Sequence, residues 1–184
     1  MANTKETELT LQERSLELIY ALNAVATALQ KSIQSEENVY ALFQKQIIAL
    51  GLRGGISLLD EQGRNLNFKT VAFTNPLKKI LRRYETELNT TAEGYSIPVE
   101  RVDVYRKAVQ EGESVFVPDT SVISAQIIPK QIAALVKPLL SILGHPPGIF
   151  TPLIYDGKIN GMLNIVGPHL TEKDIPTIQA LANQ

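Results

Sequence analysis

The chain contains no cysteine. That one absence excludes disulfides, thiolate metal sites, cysteine nucleophiles and thioether-linked chromophores, and it fits a reducing compartment. A surplus of one charge is also missing. Lys and Arg total 18 against 19 Asp and Glu, a net charge of −1, so the basic stripe of a nucleic-acid binder is not there. No apolar run follows a basic start, which leaves no secretory signal. The longest apolar stretch, residues 122–143, is broken by Gln126, Pro129, Lys130, Gln131, Lys137 and Pro138 and cannot span a membrane. Histidine is scarce, with only His145 and His169. Each lies beside a proline in an expected loop, and a metal site needs three or four ligands at tuned spacing; both are expected to face solvent. No phosphate loop, Gly-x-Ser-x-Gly elbow or paired-carboxylate constellation stands out. The reading is a soluble, cytoplasmic chain without catalytic machinery.

What is present is ordinary globular material: 184 residues, 44% hydrophobic and 20% charged, enough for one domain with its own core plus an extension. Residues 8–34 hold neither Gly nor Pro. Leu11, Leu18, Leu22, Val25 and Leu29 recur at heptad spacing, which predicts a long helix whose seam pairs with a second copy. Ser35, followed by Glu36 and Glu37, reads as the cap of a second helix. That helix carries Val39, Leu42, Phe43, Ile47 and Leu50 on one face and ends at Gly51. The period then shortens to two. Gly54 to Leu59 and the alternating Leu66, Phe68, Thr70 and Ala72 predict a hairpin turning at Asp60 to Gly63. Asn75 and Pro76 open a helix with Leu77, Ile80, Leu81, Tyr84 and Leu88 inward.

Further along, Tyr95 to Val99 reads as extended, and Glu100 to Glu111 as a helix with Val102, Tyr105 and Val109 inward. Ser114 to Val117 reads as a strand. Residues 127–143 read as an apolar helix interrupted or kinked by Pro138. Ile149 to Tyr155 and Lys158 to Val166 flank Asp156-Gly157, the signal of a type I′ hairpin. Thr171 caps a closing helix whose regular part starts nearer Asp174, because Pro176 would delete a hydrogen bond. Its apolar period still runs at Gln184, which predicts that the helix continues beyond this residue.

The ordered set carries a resemblance. The Gly55-Ile56-Ser57-Leu58-Leu59-Asp60 strand is followed by Ile97-Pro98-Val99 and by Arg106 to Gly112 running into Ser114 to Asp119. Then come Thr151 to Gly157, Gly161 to Val166, and Leu170-Thr171-Glu172-Lys173-Asp174 before the last helix. This succession resembles a GAF domain over residues 36–184, with residues 1–35 similar to the signalling helix that precedes such domains in sensor kinases. The resemblance implies an α+β fold: a central antiparallel sheet with N- and C-terminal helices on one face and pocket-covering helices and loops on the other. It further implies a homodimer through the terminal helices and an output domain of the same protein, most often a histidine kinase. A covalent bilin and the chemistry of sulfoxide-reducing members are ruled out, since both need cysteine. The cyclic-nucleotide pattern is not found, and Asp174-Ile175-Pro176 sits in the closing helix rather than in a chromophore pocket. No cofactor is expected beyond a small-molecule ligand.

For the pocket, the candidates are Tyr95, Phe116, Asp119, Ser121, Ile128, Ile132, Leu135, Leu139, Thr151 and Asn164. Asp119-Thr120-Ser121 can be a polar anchor at the mouth or simply a turn that ends the strand. Residues 127–143 can be an apolar lid over a ligand or a plug that fills the pocket with protein. Apolar helices are more often core, whereas Pro138 offers a weak joint. Phe116 reads as a core residue and Tyr155 as exposed.

Overall fold

The computed structural model describes residues 18–21, 23–24, 27, 36–89, 91, 93–128, 130 and 132–183. The expected seam residues Leu11, Leu22, Val25 and Leu29 lie outside these. Leu18 is described, is helical, and packs partly buried against the core of its own domain.

Six strands form one antiparallel sheet: β1 Arg53–Leu59, β2 Asn65–Ala72, β3 Ser96–Pro98, β4 Val115–Val117, β5 Gly148–Tyr155 and β6 Lys158–Val166, in the order β3-β2-β1-β6-β5-β4. The helices are α1 Glu36–Ala49, α2 Asn75–Leu88, α3 Asp103–Arg106, α4 Ser121–Ile127, α5 Ala133–Leu143 and α6 Ile175–Ala182. α1 ends at Gly51, whose φ of 69° suits a residue without Cβ. Both residues of the β5–β6 turn have positive φ, Asp156 at 51° and Gly157 at 70°, as a type I′ turn requires. Thr171 and Asp174 form a capping box, with the Thr171 N–H and hydroxyl donating to Asp174 Oδ2 at 2.8 and 3.0 Å. The regular turns of α6 begin only at Ile175, with Pro176 in the first turn.

Four local expectations are revised. α2 starts from Thr74 rather than Asn75, and no side chain caps it. The helix expected over residues 100–111 is three pieces: a 3₁₀ turn at Val99–Arg101, α3, and a π turn at Lys107–Glu111 closed by Gly112 at φ 72°. The apolar segment breaks between α4 and α5, not at Pro138, which sits inside α5. Finally, β2 does not alternate simply. Ile56 pairs with Thr70 but Ser57 pairs with Phe68, so Lys69 is an extra residue. That bulge flips the pleat: Leu66 and Phe68 belong to one core, Ala72 to the other.

The sheet therefore separates two cores. On one face α1 and α6 contribute Phe43, Ile47, Ile178 and Leu181, packed with Ala72, Ile149, Leu163 and Ile165. On the other face lie Leu66, Phe150 and Met162 under Val99, Val102, Tyr105, Ala108, Val109 and Ile123.

The β1–β2 turn is tied by Asp60, whose Oδ1 accepts from the Arg64 N–H at 2.8 Å and Oδ2 from the Asn65 amide at 2.6 Å. These bonds, the Asn65 amide first, hold the Asp60 carboxyl below the usual carboxylate range. A carboxyl depressed in the folded state stabilises above its unfolded pKa of about 3.9, and the contribution disappears as pH falls through the folded value. Asp60→Asn is thus expected to flatten the acid limb of the stability–pH curve below about pH 4. Urea midpoints taken stepwise in pH check this; an unchanged acid limb contradicts it.

Candidate functional site

Cross-strand partners share a face, so the register places the candidate site. Gly55 pairs with Asn164, Ser57 with Met162, and Phe150 with Asn164. Arg53, Gly55 and Ser57, two apart on β1, therefore join Asn164 on the face away from α1 and α6.

Much of this face is filled. Tyr105 is buried against Phe150, with ring centroids 6.2 Å apart and planes tilted by 41°, and its burial pushes the phenol pKa up. The filling comes from residues 99–109 and from Ile123, with Ile127 at its margin. α5, the expected plug or lid, contributes less. Val136 and Leu139 are buried, but Leu135 is 46% and Ile142 55% exposed. A plug would have hidden Leu135, and that expectation is corrected. α5 packs on α2, and its last carbonyl, Leu143 O, accepts a hydrogen bond from Arg53 Nη1 at 2.7 Å. A guanidinium is well suited to a helix C-terminus, where carbonyls lack intrahelical partners. Arg53 is only partly exposed, and desolvation lowers its pKa.

Two polar atoms on this face are buried without a hydrogen-bond partner among the described residues: Ser57 Oγ and Asn164 Oδ1. Buried polar groups are nearly always paired, and each unpaired one costs about 1–3 kcal/mol. Their placement has a local cause. A Cβ on Gly55 would come within 3.0 Å of Asn164 Oδ1, so the missing side chain on β1 makes room for the Asn164 amide. Ser57 stands at the β2 bulge.

The remaining candidates divide. Tyr95 packs partly buried at the edge of this core, and its carbonyl accepts from the Phe68 N–H at 3.0 Å. Ile128 and Ile132 are half-buried. Phe116 and Thr151 face the other way. Phe116 packs in the α1–α6 core and pairs with Ile149, and Thr151 pairs with Leu163. Thr151 is buried and hydrogen-bonds Ser114 at 2.6 Å. Both are corrected as pocket residues. Asp119 is exposed, and its Oδ1 accepts from the Ser121 N–H at 2.8 Å. The Ser121 hydroxyl first, and then that N–H, hold the carboxyl below its ordinary range. This is the turn reading of the Asp119–Ser121 corner. Sequence reasoning missed Arg53, Gly55 and Ser57. The signal was the small or polar residue at every second place of Arg53-Gly54-Gly55-Ile56-Ser57. Among the described residues no cluster of His, Asp and Glu is placed to hold a metal, and no helix is long and apolar enough to cross a membrane.

Neither a family profile nor a curated protein matches the chain by sequence. Solved structures do match it in fold. The GAF domain of a phosphoenolpyruvate-protein phosphotransferase from Coxiella burnetii superimposes with a TM-score of 0.64 at 12% identity, covering 92% of this chain and 90% of that one. The GAF domain of the Acinetobacter phosphoenolpyruvate-protein phosphotransferase gives 0.59 at 16% identity, covering 89% and 86%. A free methionine-R-sulfoxide reductase from Neisseria meningitidis, solved with its substrate, gives 0.58 at 18% identity, covering 92% and 86%. The chain has the GAF fold, as the order of its motifs implied.

Proposed function

We propose that this GAF-fold chain is a regulatory sensor module. A small molecule binds on the sheet face opposite α1 and α6, and its arrival is passed through the terminal helices to an output domain of the same protein, a histidine kinase being the output the sequence resemblance favours. The observation that carries the reading is the pair of orphan oxygens, Ser57 Oγ and Asn164 Oδ1. A ligand offering N–H or O–H donors relieves the cost of these two unpaired oxygens, and so binds with free energy that discriminates between states. The way in is beneath α5, whose end is latched to β1 by the Arg53 bond to Leu143. β1 and β6 line both cores, so strain at Asn164 is felt by Ile165 and, through it, by the helix layer. A coupling of about 1–3 kcal/mol is enough for graded regulation. The first helix and α6 are proposed to pair with those of a second copy in a homodimer.

Asn164→Leu tests the reading. It removes the orphan and is expected to raise the melting temperature of the ligand-free protein while abolishing the shift that polar metabolites produce in the wild type. If Asn164→Leu lowers stability, or if metabolite shifts persist in it, the site is elsewhere.

A second reading has its own support. The eleven-residue buried cluster on that face is what a ligand-free dimerisation and relay module would show, with the pocket filled by residues 99–109 and α4 rather than by 127–143. Under it, no compound moves the melting temperature.

A further inference from the structure

Arg53, Gly55 and Ser57 hold alternate places on β1, with Asn164 opposite Gly55. At about 3.3 Å per residue, each step of two advances roughly 7 Å along the strand. The row thus opens with a cation, passes the Asn164 amide one step on, and ends at the Ser57 hydroxyl one step further. The last two groups supply the unpaired oxygens, Asn164 Oδ1 and Ser57 Oγ. The first is short of negative charge. Among the described residues Arg53 donates to Leu143 O, and no Asp or Glu pairs with it. A helix C-terminus carries about −0.5 of an elementary charge, so the end of α5 offsets about half of the guanidinium's. The remainder sits on a half-buried group, where loss of water is costly without a counter-charge.

We propose that the ligand of this sheet face is a small organic anion, with one carboxylate seated on Arg53 and N–H or O–H donors farther along it for Asn164 Oδ1 and Ser57 Oγ. The assignment rests on the reading of this face as the sensor's ligand site and adds the ligand's chemical class. A guanidinium has five N–H donors. The bond to Leu143 uses one of them, so a carboxylate is accommodated without releasing α5. The planar fork also matches the two oxygens of a carboxylate.

The row selects further. Arg53 is its one cation, which suits a single negative charge. A phosphate monoester brings about −1.5 to −2 at pH 7 and would stay under-compensated. The row has no carboxylate to meet an ammonium, so the donors are neutral amide or hydroxyl groups. Residues 99–109 fill much of this face, which keeps the ligand small.

Calorimetry on the full chain tests the proposal with succinamate, glutaramate and para-hydroxybenzoate, each beside its uncharged amide: succinamide, glutaramide and para-hydroxybenzamide. At least one acid is expected to bind saturably at millimolar concentration or below, and at least about tenfold more tightly than its amide. Arg53→Gln should bring that acid down to about the affinity of its amide. This ratio reads the charge at Arg53, and a merely structural role would not move it. Arg53→Lys keeps the charge without the fork and should give an intermediate acid affinity. The proposal is overturned if no acid binds, if each amide binds as tightly as its acid, or if both Arg53 variants keep the wild-type acid affinity. Asn164→Leu separates this failure from that of the sensor reading. If acids and amides bind equally and both are weakened by Asn164→Leu, the anion assignment falls and the sensor reading stands. If an acid binds Asn164→Leu with full affinity, both fall.

Discussion

Gly161→Ala is expected to keep the domain from reaching a stable native state. Gly161 stands in the middle of the sheet, opposite Leu58 on β1 and Leu153 on β5. Next to it the β5–β6 register slips, Leu153 facing Gly161 and Ile154 facing Ile159, so Asn160 is an extra residue. An added Cβ would lie 2.1 Å from the Ser57 carbonyl oxygen and 3.0 Å from Leu58 Cα. These are backbone atoms that cannot rotate aside, so the two central strands must part. Overpacking usually costs about 1–3 kcal/mol when side chains can adjust. With the β1 backbone as the obstacle the cost should exceed roughly 3 kcal/mol, a large share of a typical domain's 5–15 kcal/mol. Urea unfolding of whatever soluble protein is recovered measures it. A midpoint within error of the wild type would mean that β1 and β6 are not as closely apposed as described.

Phe150→Ala carries the second large effect. Phe150 is 3% exposed on the face away from α1 and α6, with its ring against Tyr105. Removing a buried ring costs about 3–5 kcal/mol, which for a domain of this size lowers the melting temperature by roughly 10 °C. The variant also makes a cavity beneath Tyr105, and an apolar cavity of that kind stays dry and takes up benzene-like molecules. Benzene or indole should therefore recover part of the lost melting temperature in Phe150→Ala and do nothing to the wild type. A loss below about 1 kcal/mol, or equal responses from both proteins, would mean that this face is already hollow.

The outline of the fold was legible because its signals are local. Asp156-Gly157 fixes a hairpin by turn geometry alone, Thr171 with Asp174 marks a helix start, and Phe43 and Ile47 sit one turn apart on an apolar face. The site was less legible because it depends on which face each strand presents, and that is set by register between strands distant in sequence. Leu66, Phe68, Thr70 and Ala72 read as one face, and only the extra Lys69 sends Ala72 to the opposite core. Phe116 and Thr151 were placed on the wrong side for the same reason, since alternation gives parity without saying which parity points where. Arg53 and Ser57 went unnoticed because a polar residue in a short strand normally means exposure. Pro138 misled in another way: in α5 it sits within the helix, while the break falls in the residues after Ile127.

The two cores have a joint consequence for how the molecule melts. Leu163 and Ile165 on β6 anchor the helix side, while Met162, next to Leu163 in the chain, anchors the other. Neither layer can come away without stripping the strands that support its counterpart. Heating should accordingly give a single endotherm, with calorimetric and van't Hoff enthalpies in agreement.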